Sequence, residues 1–220
     1  MLKRGLTIGL YDTAAEGWTL TGCSFSPAVQ VTNFVDVPGR RKGPLNMSTV
    51  LTDGDPVYGS RTLQATFECS EGDRLWREAL INTMVNDLDG FTFDIILPDD
   101  PDHYITGQVH IETQYNDPAH AAVSLTAVCE PWRYNATETR VELRATGTSQ
   151  TATLQNLGRM TVSPKLTVTG TQVTIQYGDI SRALSPGVYD YLDLAVPKGG
   201  LSVTYSGTGS LLLTYREAVL

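Results

Sequence analysis

The densest group of chemically capable side chains is the run Leu97-Pro98-Asp99-Asp100-Pro101-Asp102-His103-Tyr104. Its three carboxylates and one imidazole suit a hard cation that wants oxygen ligands, or acid–base work shared between acids. The spacing matches no EF-hand loop, since it lacks the turn glycine and the distal bidentate glutamate. Adjacent carboxylates on one turn rarely reach the cross-cleft separation that glycoside hydrolysis needs. Asp and Pro between two strand-like runs are ordinary hairpin residues. The run therefore reads first as a solvated turn, with metal binding and catalysis as the alternatives.

The other reactive residues are scattered. His103, His110 and His120 form no spaced motif, and alternation puts His110 on a polar face with Glu112. A zinc site would need further deprotonated ligands close by. There is no GxSxG, HExxH, P-loop or GxGxxG leading into a helix. The segment Ser206-Gly207-Thr208-Gly209-Ser210 is glycine-rich but lies between strand-like runs, so it reads as a hairpin rather than a phosphate cradle. Cys23, Cys69 and Cys129 have no CxxC spacing, and Cys69 and Cys129 fall on apolar strand parity, which predicts buried free thiols. No enzyme, cofactor or metal site is expected.

One basic cluster stands out, Gly39-Arg40-Arg41-Lys42-Gly43, in a chain whose formal charge is −8. It lies between Val31–Val37 and Pro44–Leu51, which read as the two sides of a long hairpin. It could clamp phosphate, discourage edge-to-edge aggregation, or meet an acidic surface on a neighbouring subunit. No aromatic residue in the turn offers a base a stacking platform, and the acidic balance repels polyanions, so nucleic acid ranks last.

These residues must be positioned by a mainly β chain. Residues 62–69, 91–97, 109–112 and 121–129 alternate apolar and polar, the pattern of half-buried antiparallel strands. Ser70–Gly90 instead has helical spacing at Leu75, Trp76, Ala79, Leu80, Met84, Val85 and Leu88, and predicts a helix over about 71–89. Ser70 with Asp73 resembles a capping box, and Gly90 suits the helix end. From Asn135 onward charged residues thin out, and turn signals recur with the rhythm of an all-β sandwich. Two domains are expected, 1–134 and 135–220. No apolar run reaches membrane-spanning length, and the N-terminal residues lack the apolar core of a signal peptide, which predicts production in a reducing cytoplasm.

The order of motifs resembles the distal tail (Dit) proteins of long-tailed, non-contractile phages. The resemblance is carried by the Gly39–Gly43 hairpin, by Tyr58 and Arg61, by the helix, by Asp99, Asp100, Pro101, Tyr104, Gly107 and Val109, and by the Cys129, Pro131, Trp132 close. The run from Asn156 to the Tyr215-Arg216-Glu217 ending adds to it. The resemblance implies an N-terminal β-sandwich or split-barrel domain with one packed helix, followed by a C-terminal galectin-like β-sandwich. It further implies a homohexameric ring in the virion's distal tail, joining the tail tube protein to tail-tip or receptor-binding proteins. DNA would pass through its lumen without specific binding, and no membrane is entered. The basic hairpin then becomes the candidate intersubunit contact. The alternative is a carbohydrate-binding protein for host attachment. All three tryptophans lie before residue 135, so a sugar platform would have to come from Tyr177, Tyr189 or Tyr191.

Overall fold

The computed structural model describes residues 5–36, 38, 43–50, 56–190 and 193–220. The chain divides into two compact units, Met1–Arg133 and Tyr134–Leu220. Each has its own apolar core.

The first unit contains β1 (Thr7–Ile8), β2 (Tyr11–Asp12), β3 (Thr19–Phe25), β4 (Phe34–Val35), β5 (Leu45–Asn46) and β6 (Arg61–Cys69). These are followed by α1 (Arg74–Leu88), β7 (Thr92–Leu97), β8 (Asp100–Asn116) and β9 (Ala121–Cys129). The main sheet runs β2-β1-β7-β8-β9-β6-β3. Period-two alternation explains how its core is built. Leu63, Ala65, Phe67 and Cys69 of β6 are buried and pair in register with Ala127, Leu125, Val123 and Ala121 of β9. Val109, Ile111 and Ile95 continue the same face. Phe91 does not follow the expected pattern: it precedes β7 and is exposed.

Helix α1 covers that face with Leu80, Ile81, Met84 and Leu88. It begins a turn later than the sequence suggests, because the Asp73 carboxylate itself accepts the Trp76 amide at 2.8 Å and makes Asp73 the N-cap in place of Ser70. The buried stripe shifts accordingly. Leu75 and Trp76 are exposed, while Arg77 is 1% exposed. Its guanidinium donates to the carbonyls of Gly72 and Asp117, both at 2.8 Å, Pro118 at 3.0 Å and Glu71 at 3.3 Å. Carbonyl dipoles thus hold both terminal nitrogens of a buried cation, while its Nε has no hydrogen-bond partner, and the bonds tie the β8–β9 turn to the start of the helix.

β10 (Arg133–Asn135) spans the boundary and opens the second unit. That unit contains β11 (Thr139–Thr146), β12 (Gln150–Leu154), β13 (Lys165–Tyr177), β14 (Ile180–Leu184), β15 (Gly187–Tyr189), β16 (Leu201–Tyr215) and β17 (Ala218–Val219). Its sheet runs β11-β16-β13-β14, with β12 added along β16 and β15 along β13. The Ser206–Ser210 segment is not a hairpin. It lies inside the continuous strand β16. Gly207 and Gly209 take φ of 106° and 154° where β16 lies against the bulged stretch of β13, and a Cβ on either would collide with the Gln172 or Thr169 carbonyl. Opposite them β13 carries a bulge between Gly170 and Gln172. Core positions on β13 are even-numbered before it, at Leu166 and Val168, and odd-numbered after it, at Val173, Ile175 and Tyr177. No helix among the described residues is long and apolar enough to cross a membrane.

Candidate assembly surface

The feature that the first unit's own core does not absorb is the excursion between β3 and β6. Its two stems run antiparallel: Ser26 donates to Thr62, Val31 to Val57 and Gly59 to Val29, at 2.8–2.9 Å. Farther out, β4 pairs with β5, Phe34 opposite Asn46 and Val35 opposite Leu45. Backbone bonds from Met47 to Asn33 and from Asn33 to the Ser48 hydroxyl hold this second hairpin closed. Val29, Val31, Phe34, Val35, Leu45, Val50 and Val57 are all exposed along it. Of the candidate contact residues, Gly43 is described, with φ of 79° and open space around it. Gly39, Arg40, Arg41 and Lys42 lie outside the described residues.

The root of this arm gathers motif residues that are far apart in sequence. Arg61 is 8% exposed, donates from Nε to the Ser26 carbonyl at 2.7 Å, and lies 3.7 Å from the centre of the Phe25 ring. A longer contact of 3.4 Å reaches the Pro131 carbonyl. Burial, and then the positive charge of Arg133, push the Arg61 pKa down. Tyr58 meets Trp132 edge to face at 5.6 Å. Gly107 sits opposite Cys129, where a Cβ would stand 2.6 Å from the thiol sulfur. Burial raises that thiol to about 11. The spaced motifs Tyr58, Arg61, Gly107, Cys129 and Trp132 therefore brace the arm's base.

The acidic turn has a structural occupation. Asp100 receives His103 Nδ1 on one carboxylate oxygen at 2.6 Å and Arg133 on the other at 2.8 Å. His110 pairs with Asp89 at 2.8 Å and His120 with Asp117 at 3.3 Å. Among the described residues, no group of three or more His, Cys, Asp or Glu is placed to hold a metal ion. Asp89 and Asp117 have lowered pKa values, Asp89 chiefly through the Ile111 amide and Asp117 through the His120 and Ala119 amides. The remaining tyrosine candidates point elsewhere. Tyr177 is 6% exposed within the core and offers no ring face to a sugar. Tyr189 donates to the Ser185 carbonyl, and Tyr191 lies outside the described residues.

Charge divides unevenly along the chain. Residues 1–133 carry nine Lys and Arg against eighteen Asp and Glu, whereas residues 134–220 carry seven against six. Among the described residues of the first unit the cations are Arg61, Arg74, Arg77 and Arg133. Two of these are buried, and Arg133 is paired with Asp100. The described surface of the first unit is thus strongly acidic, and three of the nine basic residues, Arg40, Arg41 and Lys42, are consecutive in sequence and lie outside the described residues.

No protein-family model matches the sequence, and no curated protein matches it. The structure, however, superposes on the crystal structure of SPP1 Dit (gp 19.1) with a TM-score of 0.70. It covers 98% of this chain and 99% of that one at 13% sequence identity. The chain has the Dit fold. The SPP1 Dit protein is described as a paradigm of the hub adsorption apparatus in phages that infect Gram-positive bacteria. The likeness runs through both units, since the match spans nearly the whole of both chains.

What sequence reasoning missed here is long-range. Nothing local marks Arg77 as buried. The histidine–aspartate pairs were also not anticipated. Asp100–His103 and Asp117–His120 are three residues apart, a spacing that reads equally well as an unremarkable polar turn.

Proposed function

We propose that this chain is the structural hub of a phage tail tip, a homohexameric ring that joins the tail tube to the distal receptor-binding apparatus. In this reading it acts by geometry and docking, without catalysis. It works in the virion after assembly in the host cytoplasm, and DNA passes its acidic lumen without being gripped.

The observation that carries the reading is the arm between β3 and β6. Seven of its apolar side chains are exposed on one chain, and a set of that size on an extended hairpin needs a partner surface. Heterologous contacts of this kind close into rings when the rotation between copies closes. The Dit fold supports the same conclusion by its likeness to a hub adsorption protein. The galectin-like sugar-binding alternative has less behind it, because Tyr177 is in the core.

The test is native mass spectrometry over a range of protein concentrations, beside a Phe34→Asp/Val35→Asp variant. A species of about six subunits in the parent chain, lost in the variant, is the expected result. A parent chain that stays monomeric at every concentration, and also when mixed with tail tube and tip proteins, overturns the ring.

A further inference from the structure

We infer that a polar groove on the main sheet, lined by Thr19, Thr21, Glu68, Ser70, Ala119 and His120 with Tyr115 beside it, binds a neutral saccharide. The groove lies in the first unit, whereas the tyrosines weighed above belong to the second. It goes beyond the hub reading and does not depend on it.

Strand register builds the groove. Tyr115 of β8 pairs with Ala122 of β9, Ala122 with Glu68 of β6, and Glu68 with Thr19 of β3. One row thus crosses four strands, its side chains on the face opposite the core. A bulge between Thr113 and Tyr115 turns Tyr115 to that face. A second bulge, between Leu20 and Gly22, frames the other side, where the Thr21 hydroxyl donates to the Thr66 carbonyl at 3.2 Å. Ala122, in the middle of the row, contributes only a buried methyl. Tyr115 and Glu68 stand two strands apart, about 9.6 Å by ordinary strand spacing, which leaves the width of one pyranose ring between them. The groove's volume is about 370 Å³, within the range of small-molecule sites.

Its polar groups are placed and unspent. The Asp117 carboxylate pins the β8–β9 turn by accepting the Ala119 and His120 amides at 2.7 and 2.8 Å, and lies 3.3 Å from His120 Nδ1. Tyr115 meets the His120 ring edge to face at 5.1 Å. The imidazole is therefore held at the groove from two sides. Among the described residues, the side chains of Thr19, Glu68 and Ser70 have no hydrogen-bond or ion-pair partner. Glu68 is half-buried, so its carboxylate gives up water without gaining a bond.

This chemistry suits a sugar better than a cation. Neighbouring hydroxyls of a sugar donate in pairs to a carboxylate, and the Thr19 and Ser70 hydroxyls can both give and take. Tyr115, 38% exposed, offers apolar ring surface to the C–H face of a pyranose. Glu68 is the one carboxylate among the lining residues, and an imidazole stands where a cage for an ammonium group would need a second acid. Such a site is weak alone; repeated around a ring it would hold a polysaccharide through several contacts at once.

The experiment is saturation-transfer NMR with the methyl glycosides of glucose, galactose and N-acetylglucosamine, a readout that works on monomer and ring alike. At least one is expected to bind. Glu68→Gln should raise its Kd at least about tenfold, the loss of hydrogen bonds to a charged group. Tyr115→Leu, which keeps apolar bulk but removes the ring, should raise it about fivefold. Tyr189→Leu in the second unit should leave it unchanged. No binding of any of these sugars up to its solubility overturns the site, as does a Kd indifferent to both Glu68→Gln and Tyr115→Leu. Affinity lost in Tyr189→Leu instead would move sugar recognition to the second unit and overturn it too. n-Butylamine is run beside the sugars; if it binds through Glu68 and they do not, the groove takes cations and the saccharide is refuted. None of these outcomes bears on ring formation, which native mass spectrometry reads separately.

Discussion

Replacing Arg61 with methionine removes the guanidinium from the arm root while keeping most of the side chain's apolar stem. The 2.7 Å bond to the Ser26 carbonyl is a charge-assisted hydrogen bond, a class worth about 1.5–3 kcal/mol. The cation lies 3.7 Å from the centre of the Phe25 ring, which adds about 0.5–2 kcal/mol in a partly desolvated site. The 3.4 Å contact to Pro131 is near the geometric limit and adds little. Against these stands the desolvation of the cation itself, whose direction the lowered Arg61 pKa records. The half-buried Ser26 can also recover water once its partner is gone. The net loss should be about 2 kcal/mol, roughly a thirtyfold change in the folded-to-unfolded ratio. Urea unfolding followed by tryptophan fluorescence reads it well, because Trp18, Trp76 and Trp132 all belong to the first unit. Hydrogen exchange at the Ser26, Val31 and Gly59 amides, which donate across the arm's stems, locates the loss. Stability within 0.5 kcal/mol of the parent (the usual range for a neutral surface change), with unaltered exchange at those amides, would refute the view of Arg61 as the clamp.

Four further outcomes are expected. Arg77→Met should cost about 2–4 kcal/mol through the four carbonyls it abandons, while Arg74→Met, three residues earlier and exposed, stays within about 0.5 kcal/mol, both by urea unfolding. Gly107→Ala should cost about 1–3 kcal/mol by driving a methyl into the Cys129 sulfur, and Cys129→Ala in the same chain should recover part of it in the same assay. Acid should unfold the first unit partly through Asp89 and Asp117. Their folded pKa values lie below the unfolded value near ~3.9, so their contribution is complete above that value and is lost as pH falls through the folded ones. Asp89→Asn should flatten the urea midpoint against pH in that acidic range, and an unchanged slope would count against it. Finally, a maleimide at neutral pH should modify Cys23 alone in the native chain and all three thiols in urea, counted by intact mass. Cys69 and Cys129 are buried, whereas Cys23 is exposed on β3.

Where a strand has one wet and one dry face, its sequence is nearly its structure. From Thr62 to Cys69, β6 could be read residue by residue, because each inward position is apolar and each outward one polar; β9 follows the same rule except at Ala122 and Val128. The helix was equally visible, but its start was not. Asp73 and Ser70 are both capable caps, and only the folded backbone shows which one reaches an amide. Arg77 was hidden for a different reason. An arginine on a helix is nearly always solvated, and this one is buried because carbonyls from the segment just before the helix and from the distant β8–β9 turn converge on it. The arm was legible as a hairpin, whereas its base was not, since Arg61, Phe25, Tyr58 and Trp132 come from three separate segments. The Ser206–Ser210 misreading has the plainest physics. Glycine, serine and threonine make turns cheaply, but the same small residues are needed where a strand packs closely along a bulged neighbour.

The bulge in β13 offers a last consequence. One extra residue there acts as a phase change: the inward positions are even-numbered before it and odd-numbered after it, and both halves still face the same core. Substitutions on either side leave that phase alone. Deleting Thr171 would remove the extra residue and let Val173, Ile175 and Tyr177 continue the phase of Leu166 and Val168, whereas one further residue inserted after an unchanged bulge would turn all three outward together. In such a fold, length at a few points is the inherited message and residue identity is largely free. A chain can then share only 13% of its residues with SPP1 Dit and keep the fold over 98% of its length.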